Sequence, residues 1–575
     1  MVSALIDFVD AGPGGTRLRA AFGTPRETLV ARSADEVMPL LDAAHERSRD
    51  GAWCIGHVRY EAARAFDPAL PTYERDGPLA WFAVYDAAEP WPALPAASHA
   101  PMQWTSALER AAFDERIARI HQAIADGEVY QINLTAPLTS RFDGDALGLF
   151  DALHRAQPAA YAVYLDAGDE QLLSVSPELF FDWRDRRLLG RPMKGTAPRG
   201  ATPEADRAAA EHLRASEKER AENLMIVDLI RNDVSRVAEP FSVQVPRLFH
   251  VQAWPTVWQM TSDVTARTRP GTRLSDVFRA LFPCGSITGA PKRRAMHWIR
   301  ELEPEPRGIY CGAIGVLQPG GAATFNVAIR SVVLRDGIAR CGIGSGITSD
   351  AKASAEWDEW RHKQRFLQRA ARPFELLETL RLDEGDFVHG AAHVERLALA
   401  AGHFGFDCNP GAVQAALAPL AARHPQGAWR VRLLLPPDGR ARAEAHLLAP
   451  TSTPVRVALA KIPIDADSEF VRSKTTRREH YDAFAPADAA VFDTLLWNAR
   501  GELTEFTRGN VAVRLDGRWW TPPLQCGLLA GIGRAHALSE GRVAERVIRV
   551  EDLALSEGIA FINSLRGWLD ATFVK

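Results

Sequence analysis

The sequence predicts an α+β protein in two successive units, a large one over residues 1–372 and a smaller one over 373–575. Three observations carry this. At 575 residues the chain is too long for one simple core, since domains run to roughly 100–200 residues. Stretches with helical spacing alternate with runs in which every second residue is apolar, as in strands. After Arg372-Pro373 this texture starts afresh, with no flexible linker and no repeat relating the two parts.

Residues 1 to about 100 mix short apolar runs with Gly/Pro punctuation, which predicts strands and loops more than long helices. From Ala107 to Gly127 the apolar residues recur at helical spacing, and Val129-Tyr-Gln-Ile-Asn-Leu-Thr135 then alternates as a strand. Long helices are expected from Pro203 to Asn232 and from Ala351 to Arg372. Between them Ala313–Leu317, Thr324–Leu334 and Ile338–Ile343 read as strands broken by glycines. The second unit opens with a strand, continues with a helix over Ala391–Gly402 and a turn at Pro436–Gly439, and closes on further strands.

With 46% hydrophobic and 24% charged residues the chain is neither disordered nor low in complexity. Acidic and basic residues nearly cancel, 72 against 68, so the basic footprint of a nucleic-acid binder is missing. The six cysteines form no CxxC pair, which excludes a zinc or disulfide framework and suggests a reducing compartment. No signal-peptide pattern opens the sequence and no run of 18 apolar residues interrupts it, so a cytoplasmic protein without membrane contact is expected.

Two pairs of carboxylates stand out. Glu219 and Glu222 lie at i and i+3, and Glu356 and Glu359 repeat that spacing, so each pair shares one helical face. If the two helices face each other, four oxygen-donor groups converge as a hard divalent cation such as Mg²⁺ requires. On spacing alone a solvated face, with Glu359 pairing Lys363 one turn on, is the commoner arrangement. The glycines at 342, 344 and 346 do not make a dinucleotide fingerprint, because Ile347 stands where its third glycine belongs. Gly285-Ser-Ile-Thr-Gly-Ala-Pro-Lys292 likewise breaks the spacing of a phosphate loop.

The segments Ser174-Val-Ser-Pro-Glu-Leu-Phe180, Pro192-Met-Lys-Gly-Thr-Ala-Pro-Arg199, Asp228-Leu-Ile-Arg-Asn-Asp233, Phe282-Pro-Cys-Gly-Ser-Ile-Thr-Gly-Ala-Pro-Lys292 and Gly342-Ile-Gly-Ser-Gly-Ile-Thr-Ser349 follow one another as in the chorismate-utilising enzymes. Residues 100–370 strongly resemble the branch of that family formed by aminodeoxychorismate synthase component I and anthranilate synthase component I. The resemblance implies a large chorismate-binding α/β-sandwich. It implies Glu222 and Glu359 as the nearest Mg²⁺ ligands with Glu219 and Glu356 in support, and Arg330 and Lys363 as cations for a dicarboxylate. Tyr310 and the amides near Gly344 and Gly346 would hold the other acid group, and Thr288 would line the pocket.

Two positions separate reactions within the family. Relatives that add water carry lysine where this chain has Gln131, and anthranilate synthases carry alanine where it has Lys194. The resemblance therefore implies an amino-transferring enzyme in which Lys194, held neutral, attacks C2 of chorismate while ammonia enters at C4. Glu178 would be the acid that helps the C4 hydroxyl leave. Gln259 stands where anthranilate synthases carry a histidine associated with pyruvate loss. No Gly-x-Cys-x-Gly nucleophile segment surrounds any cysteine, so the ammonia is expected from a separate glutamine amidotransferase subunit or from solution.

In the second unit Glu378-Thr-Leu-Arg381, His393-Val-Glu-Arg-Leu397, Arg472-Ser-Lys-Thr-Thr-Arg477, Leu503-Thr-Glu-Phe-Thr-Arg-Gly-Asn510 and Gly531-Ile-Gly-Arg534 resemble the fold-type-IV pyridoxal phosphate enzymes. That family includes class IV aminotransferases and aminodeoxychorismate lyase. It implies Lys474 as the lysine that joins the cofactor aldehyde and shuttles protons, and Glu505 as the acid on the pyridine nitrogen. Arg396 and the amides of Ile532 and Gly533 would take the phosphate, with Asn510 and Ser564 beside it. Two departures are visible: the stretch before Glu378 is short for the family, and Gly533 stands where a hydroxyl residue is common.

The fusion implies consecutive steps to 4-aminobenzoate, amination of chorismate and then elimination of pyruvate. Two alternatives stay open at this stage. The C-terminal unit would be a non-catalytic structural or partner-binding module, or the chain would be an anthranilate synthase, which Lys194 and Gln131 disfavour.

Overall fold

The computed structural model describes residues 2–9, 16–74, 77–95, 98–157, 160–199, 203–254 and 257–574. The chain divides into two compact units, Met1–Pro373 and Phe374–Lys575. Among the described residues no helix is long and apolar enough to cross a membrane.

The first unit is a sandwich of two antiparallel sheets, of nine and ten strands among the described residues. Among the described residues, alternation along the strands builds three large cores, with a smaller cluster of Ala210, Leu213, Val251 and Met260. In Ala4–Phe8 the side chains of Ala4, Ile6 and Phe8 enter a core shared with Ile55, Trp81, Ile314 and Val316 of the other sheet. Leu5 points the opposite way, to a layer of helices that packs Phe113, Ile117 and Phe150 on the nine-stranded sheet. The ten-stranded sheet is covered on its outer face by helices bearing Val37, Leu41, Ile226, Ile230 and Phe278.

Several expected elements are subdivided. The stretch from Pro203 forms two helices, Pro203–Ala215 and Glu217–Ser235, because Ser216 turns extended and its Oγ accepts the Glu219 amide at 3.3 Å. The stretch from Ala351 likewise forms Ala353–Lys363 and Arg365–Ala370. The strand expected over Thr324–Leu334 is broken into Ala322–Val327 and Ser331–Arg335, since Arg330 adopts φ +53°. The N-terminal region departs from the sequence reading in containing a 16-residue helix, Ala34–Arg49, started by a Ser33/Glu36 capping box.

The strands Gln131–Arg141 and Ile338–Ile347 pair over ten residues, setting Gly344 opposite Thr135 and Gly346 opposite Asn133. The sequence reading ended the second of these at Ile343; the four further residues carry the site's glycines.

The second unit holds a four-stranded antiparallel sheet and a mixed eight-stranded sheet. Helices Gly390–Phe404 and Pro410–Arg423 cover the smaller sheet through Val394, Leu397, Val413 and Leu417. The segment around Lys474 is fastened beside the strand Leu376–Asp383: the Leu377 amide donates to the Lys474 carbonyl at 3.0 Å and the Thr476 amide to Glu375 at 2.9 Å.

Candidate active sites

The first site forms where the paired strands Gln131–Arg141 and Ile338–Ile347 meet the turn carrying Lys194. A side chain at Gly346 would fall 2.5 Å from Gln131 Nε2 and 3.0 Å from Lys194 Nζ, so only a glycine leaves these two groups together. Gly195, at φ +90°, turns the chain so closely over the helix Glu217–Ser235 that a Cβ would lie 3.0 Å from Glu219 Oε2. Gln259 braces this turn, donating from Nε2 to the Gly195 carbonyl at 2.7 Å and accepting from Thr196 Oγ1 at 2.8 Å.

Both polar atoms of the Gln131 side chain are buried with no partner among the described residues, and so is Glu178 Oε1. Buried polar atoms are nearly always bonded, so three orphans in one place mark a site shaped for a polar ligand. Burial pushes the Glu178 carboxyl up to about 7, against the pull of the Ser286 hydroxyl and the Lys194 ammonium.

On the far side, Lys363 Nζ donates to the Gly344 carbonyl at 2.9 Å and pairs with Glu359 at 2.6 Å. Arg330 Nη1 donates to the Lys363 carbonyl and its guanidinium lies 5.3 Å from the Phe366 ring. The Tyr310 ring sits where a Cβ on Gly342 would be, 2.2 Å away. Thr288 is the exception: its hydroxyl donates to the Cys284 carbonyl at 3.1 Å, so it shapes the wall rather than offering a proton to a ligand.

The four glutamates occupy the two helices as the spacing required, but they are not closed around a common point. Among the described residues no three His, Cys, Asp or Glu side chains gather as a metal ion needs. Lysines and a serine hold them instead. Glu222 has Lys194 and Lys218 at 3.9 Å, Glu359 has Lys363, and Glu356 accepts from Ser345 Oγ at 2.5 Å. Burial first, then a neighbouring carboxylate, raises the pKa of Glu219 and of Glu356. The donor chemistry suits a hard cation. Its spacing here suits the lysines.

The second site lies wholly in the second unit. Burial brings the Lys474 ammonium down to about 8, with Arg396, Glu378, Arg478 and Glu505 as its charged neighbours. Glu505, pushed up to about 7 by burial, accepts from Tyr481 Oη at 2.8 Å and from the Leu529 amide at 3.1 Å. Arg396 is oriented by three bonds: Nε and Nη2 bind the Glu378 carboxylate at 2.8 and 2.6 Å, and Nη1 donates to the Ala530 carbonyl at 3.0 Å, which leaves one hydrogen on each terminal nitrogen for a phosphate. Ile532 and Gly533 open the helix Ile532–Ser539, leaving amides at its N-terminus. A side chain at Gly533 would strike the Asn563 carbonyl carbon at 2.6 Å and the Ser564 amide at 2.9 Å. The hydroxyl common at that position has no room here, and Ser564 brings one from the other strand end. Asn510 fills the floor, donating to the Leu529 carbonyl at 3.0 Å. A lysine, an acid and a cup too close for side chains fit pyridoxal phosphate.

Residues 88–369 match the chorismate binding enzymes, and residues 375–573 match the class IV amino-transferases. The chain joins a member of each family. Over 256 residues the chorismate-binding unit is 43% identical to aminodeoxychorismate synthase component 1 of Salmonella typhimurium, covering 44% of this chain and 56% of that protein. It is 39% identical over 284 residues to anthranilate synthase component 1 of Streptomyces coelicolor, covering 49% and 56%. The chain thus spans little more than half the length of these relatives. A crystal structure of anthranilate synthase component I from Streptococcus pneumoniae shares the fold at 24% identity and TM-score 0.54, over 64% of this chain and 92% of that one.

Some residues at both sites escaped the sequence reading. In the chorismate-binding unit Ser286 and Ser345 touch Glu178 and Glu356, and serines in glycine-rich runs carry no signal of their own. In the class IV unit Tyr481 caps Glu505 from a point seven residues past Lys474. Glu378 and His393 were visible as motif residues, but only the folded chain shows them bonded to each other at 2.7 Å.

Proposed function

We propose that this chain makes 4-aminobenzoate from chorismate and ammonia in two steps, amination in the first unit and pyruvate elimination in the second. The observation that carries the reading is Lys194 set beside Gln131 at Gly346, with the protonatable, buried Glu178 close enough to feel its charge. The Lys194 ammonium first gives its proton to water, and the free amine adds to C2 of chorismate as the C4 hydroxyl, protonated by Glu178, leaves as water. Ammonia then bonds to C4, the C2–nitrogen bond breaks to release Lys194, and the proton ammonia sheds returns to Glu178. Arg330 and Lys363 supply the charge for the substrate's carboxylates. The overall identities, 43% and 39%, do not separate this from anthranilate synthesis; Lys194 favours amination at C4.

Glu219, Glu222, Glu356 and Glu359 are the residues that would hold Mg²⁺, in competition with Lys363 for Glu359 and with Lys194 for Glu222. A separate glutamine amidotransferase is the proposed source of ammonia.

In the second unit pyridoxal phosphate would supply an electron sink joined to the substrate amine. Glu505 would hold the pyridine nitrogen, Arg396 and the amides of Ile532 and Gly533 would hold the phosphate, and Lys474 would move the proton that aromatisation releases. The test is the purified chain with chorismate, an ammonium salt, Mg²⁺ and pyridoxal phosphate. 4-Aminobenzoate and pyruvate are expected; anthranilate, or no aromatic amine, overturns the reading. Lys474→Ala should lose the visible absorbance of the bound cofactor and stop at the amino-chorismate product. If Lys474→Ala still forms 4-aminobenzoate, the second unit is not the lyase.

A further inference from the structure

A chain of buried hydrogen bonds runs from Arg396 to the mouth of the phosphate cup, and beyond Arg396 it has no part in the steps above. Arg396 binds Glu378 through two nitrogens, Glu378 Oε2 lies 2.7 Å from His393 Nδ1, and His393 Nε2 lies 2.9 Å from Ser564 Oγ. His393 and Glu378 are almost wholly shielded from solvent. The charged and titratable groups around His393 are Glu378 on the facing strand, Arg396 on its own helix, His389 capping that helix's start, Lys474 beyond Glu378, and His536 against His389.

The hydrogens in this chain can be assigned. Arg396, which contributes most to the stabilisation of the Glu378 carboxylate, and the hydrogen bond from His393 outweigh its burial and hold it down at about 2, so it is ionised and only accepts. His393 Nδ1 must therefore carry a hydrogen. What remains open is Nε2. If His393 is neutral, Nε2 accepts the only hydrogen of Ser564, and the serine turns bare lone pairs toward the cup. If His393 is protonated, Nε2–H donates to Ser564 Oγ and frees the serine hydrogen for an anion.

Charge points the same way. Arg396 pairs with Glu378, so Arg396, Glu378 and neutral His393 sum to zero. When a proton joins His393, a phosphate dianion entering the cup gains one further charge-assisted donor and one compensating charge. Resting on the reading of this unit as a pyridoxal phosphate site, we propose that His393 is the positioning residue of the phosphate cup: it takes one proton from solvent as the phosphate binds and thereby turns Ser564 into a donor. Binding and protonation are then linked, each strengthening the other.

The test uses the full apo chain titrated with pyridoxal phosphate and, separately, with pyridoxal, which lacks the phosphate, from about pH 6 to pH 9. Intrinsic fluorescence and visible absorbance report both affinities without turnover. In the wild type the preference for pyridoxal phosphate over pyridoxal should fall with rising pH, approaching tenfold per pH unit at most. His393→Asn keeps a donor for Glu378 but does not reach Ser564. It and Ser564→Ala should bind pyridoxal phosphate about tenfold more weakly or worse at low pH, flatten that dependence, and leave pyridoxal within about twofold.

His393→Gln places a non-titrating donor near the Nε2 position, and should recover affinity for pyridoxal phosphate without recovering the pH dependence. Equal weakening of both ligands in His393→Asn, or the same pH dependence in wild type and His393→Asn, overturns the proposal while leaving the cofactor reading intact. A wild type that binds neither ligand overturns both.

Discussion

Glu178 shows how one buried carboxyl sets a pH limit. Burial holds its proton to about 7, against an ordinary value of 4.5. In the proposed amination the acid form assists departure of the C4 hydroxyl, which gives the sign: chorismate consumption should fall as pH rises through about 7. Glu178→Gln should lower kcat for that step by roughly 10²–10⁴-fold and remove this limb of the pH profile. An unchanged profile would mean that another group protonates the leaving oxygen. The roles expected at such positions come from the family resemblance of the surrounding motifs; side-chain type alone would leave a surface charge as the commoner reading. The protonation of Glu178 was not legible in the sequence, because it depends on Ser286 and Lys194, which are distant in sequence and come close only in the fold.

Strands and helices were legible where the apolar period was long and unbroken, as in Arg110–Ala125 and Gly390–Phe404. They were obscured where local chemistry pulls both ways. Ala34–Arg49 carries Pro39 within its first turns, and Pro410–Arg423 opens on Pro410-Gly411, a pair that reads as a turn. In the second case Asn409 decides the matter, its Oδ1 accepting from the amides of Gly411 and Ala412 at 2.9 and 3.3 Å. Asn409→Ala should cost about 1 kcal/mol, read as a lower melting temperature of the second unit with chorismate consumption unaltered. At the strand Ile338–Ile347 both readouts should move. Gly342→Ala places a methyl 2.2 Å from the Tyr310 ring, which must shift, and should lower the melting temperature of the first unit as well as raise KM for chorismate on the order of tenfold.

At the scale of the molecule, each unit has its own cores, and on the proposed reading each carries out its own step. Lys194→Ala and Lys474→Ala should therefore fail at different steps. Mixed together, the two inactive proteins should make 4-aminobenzoate from chorismate and ammonia if, as proposed, the amino-chorismate product of one is the substrate of the other. Absence of product from the mixture, with each variant folded, would mean that the intermediate does not pass through solution.

The pairing of Gln131–Arg141 with Ile338–Ile347 also sets a timetable. The two strands lie some two hundred residues apart, so their loop must close before the pairing stabilises anything, and such contacts form slowly. A chain emerging from synthesis holds Gln131 and Lys194 long before it holds Gly346 or Lys363. The chorismate site therefore has no partial form: it comes into being only once the last strand of its sheet and the helix Ala353–Lys363 have docked. The second unit, with its helices and the small sheet formed between residues 376 and 447, begins folding as that closure is completed.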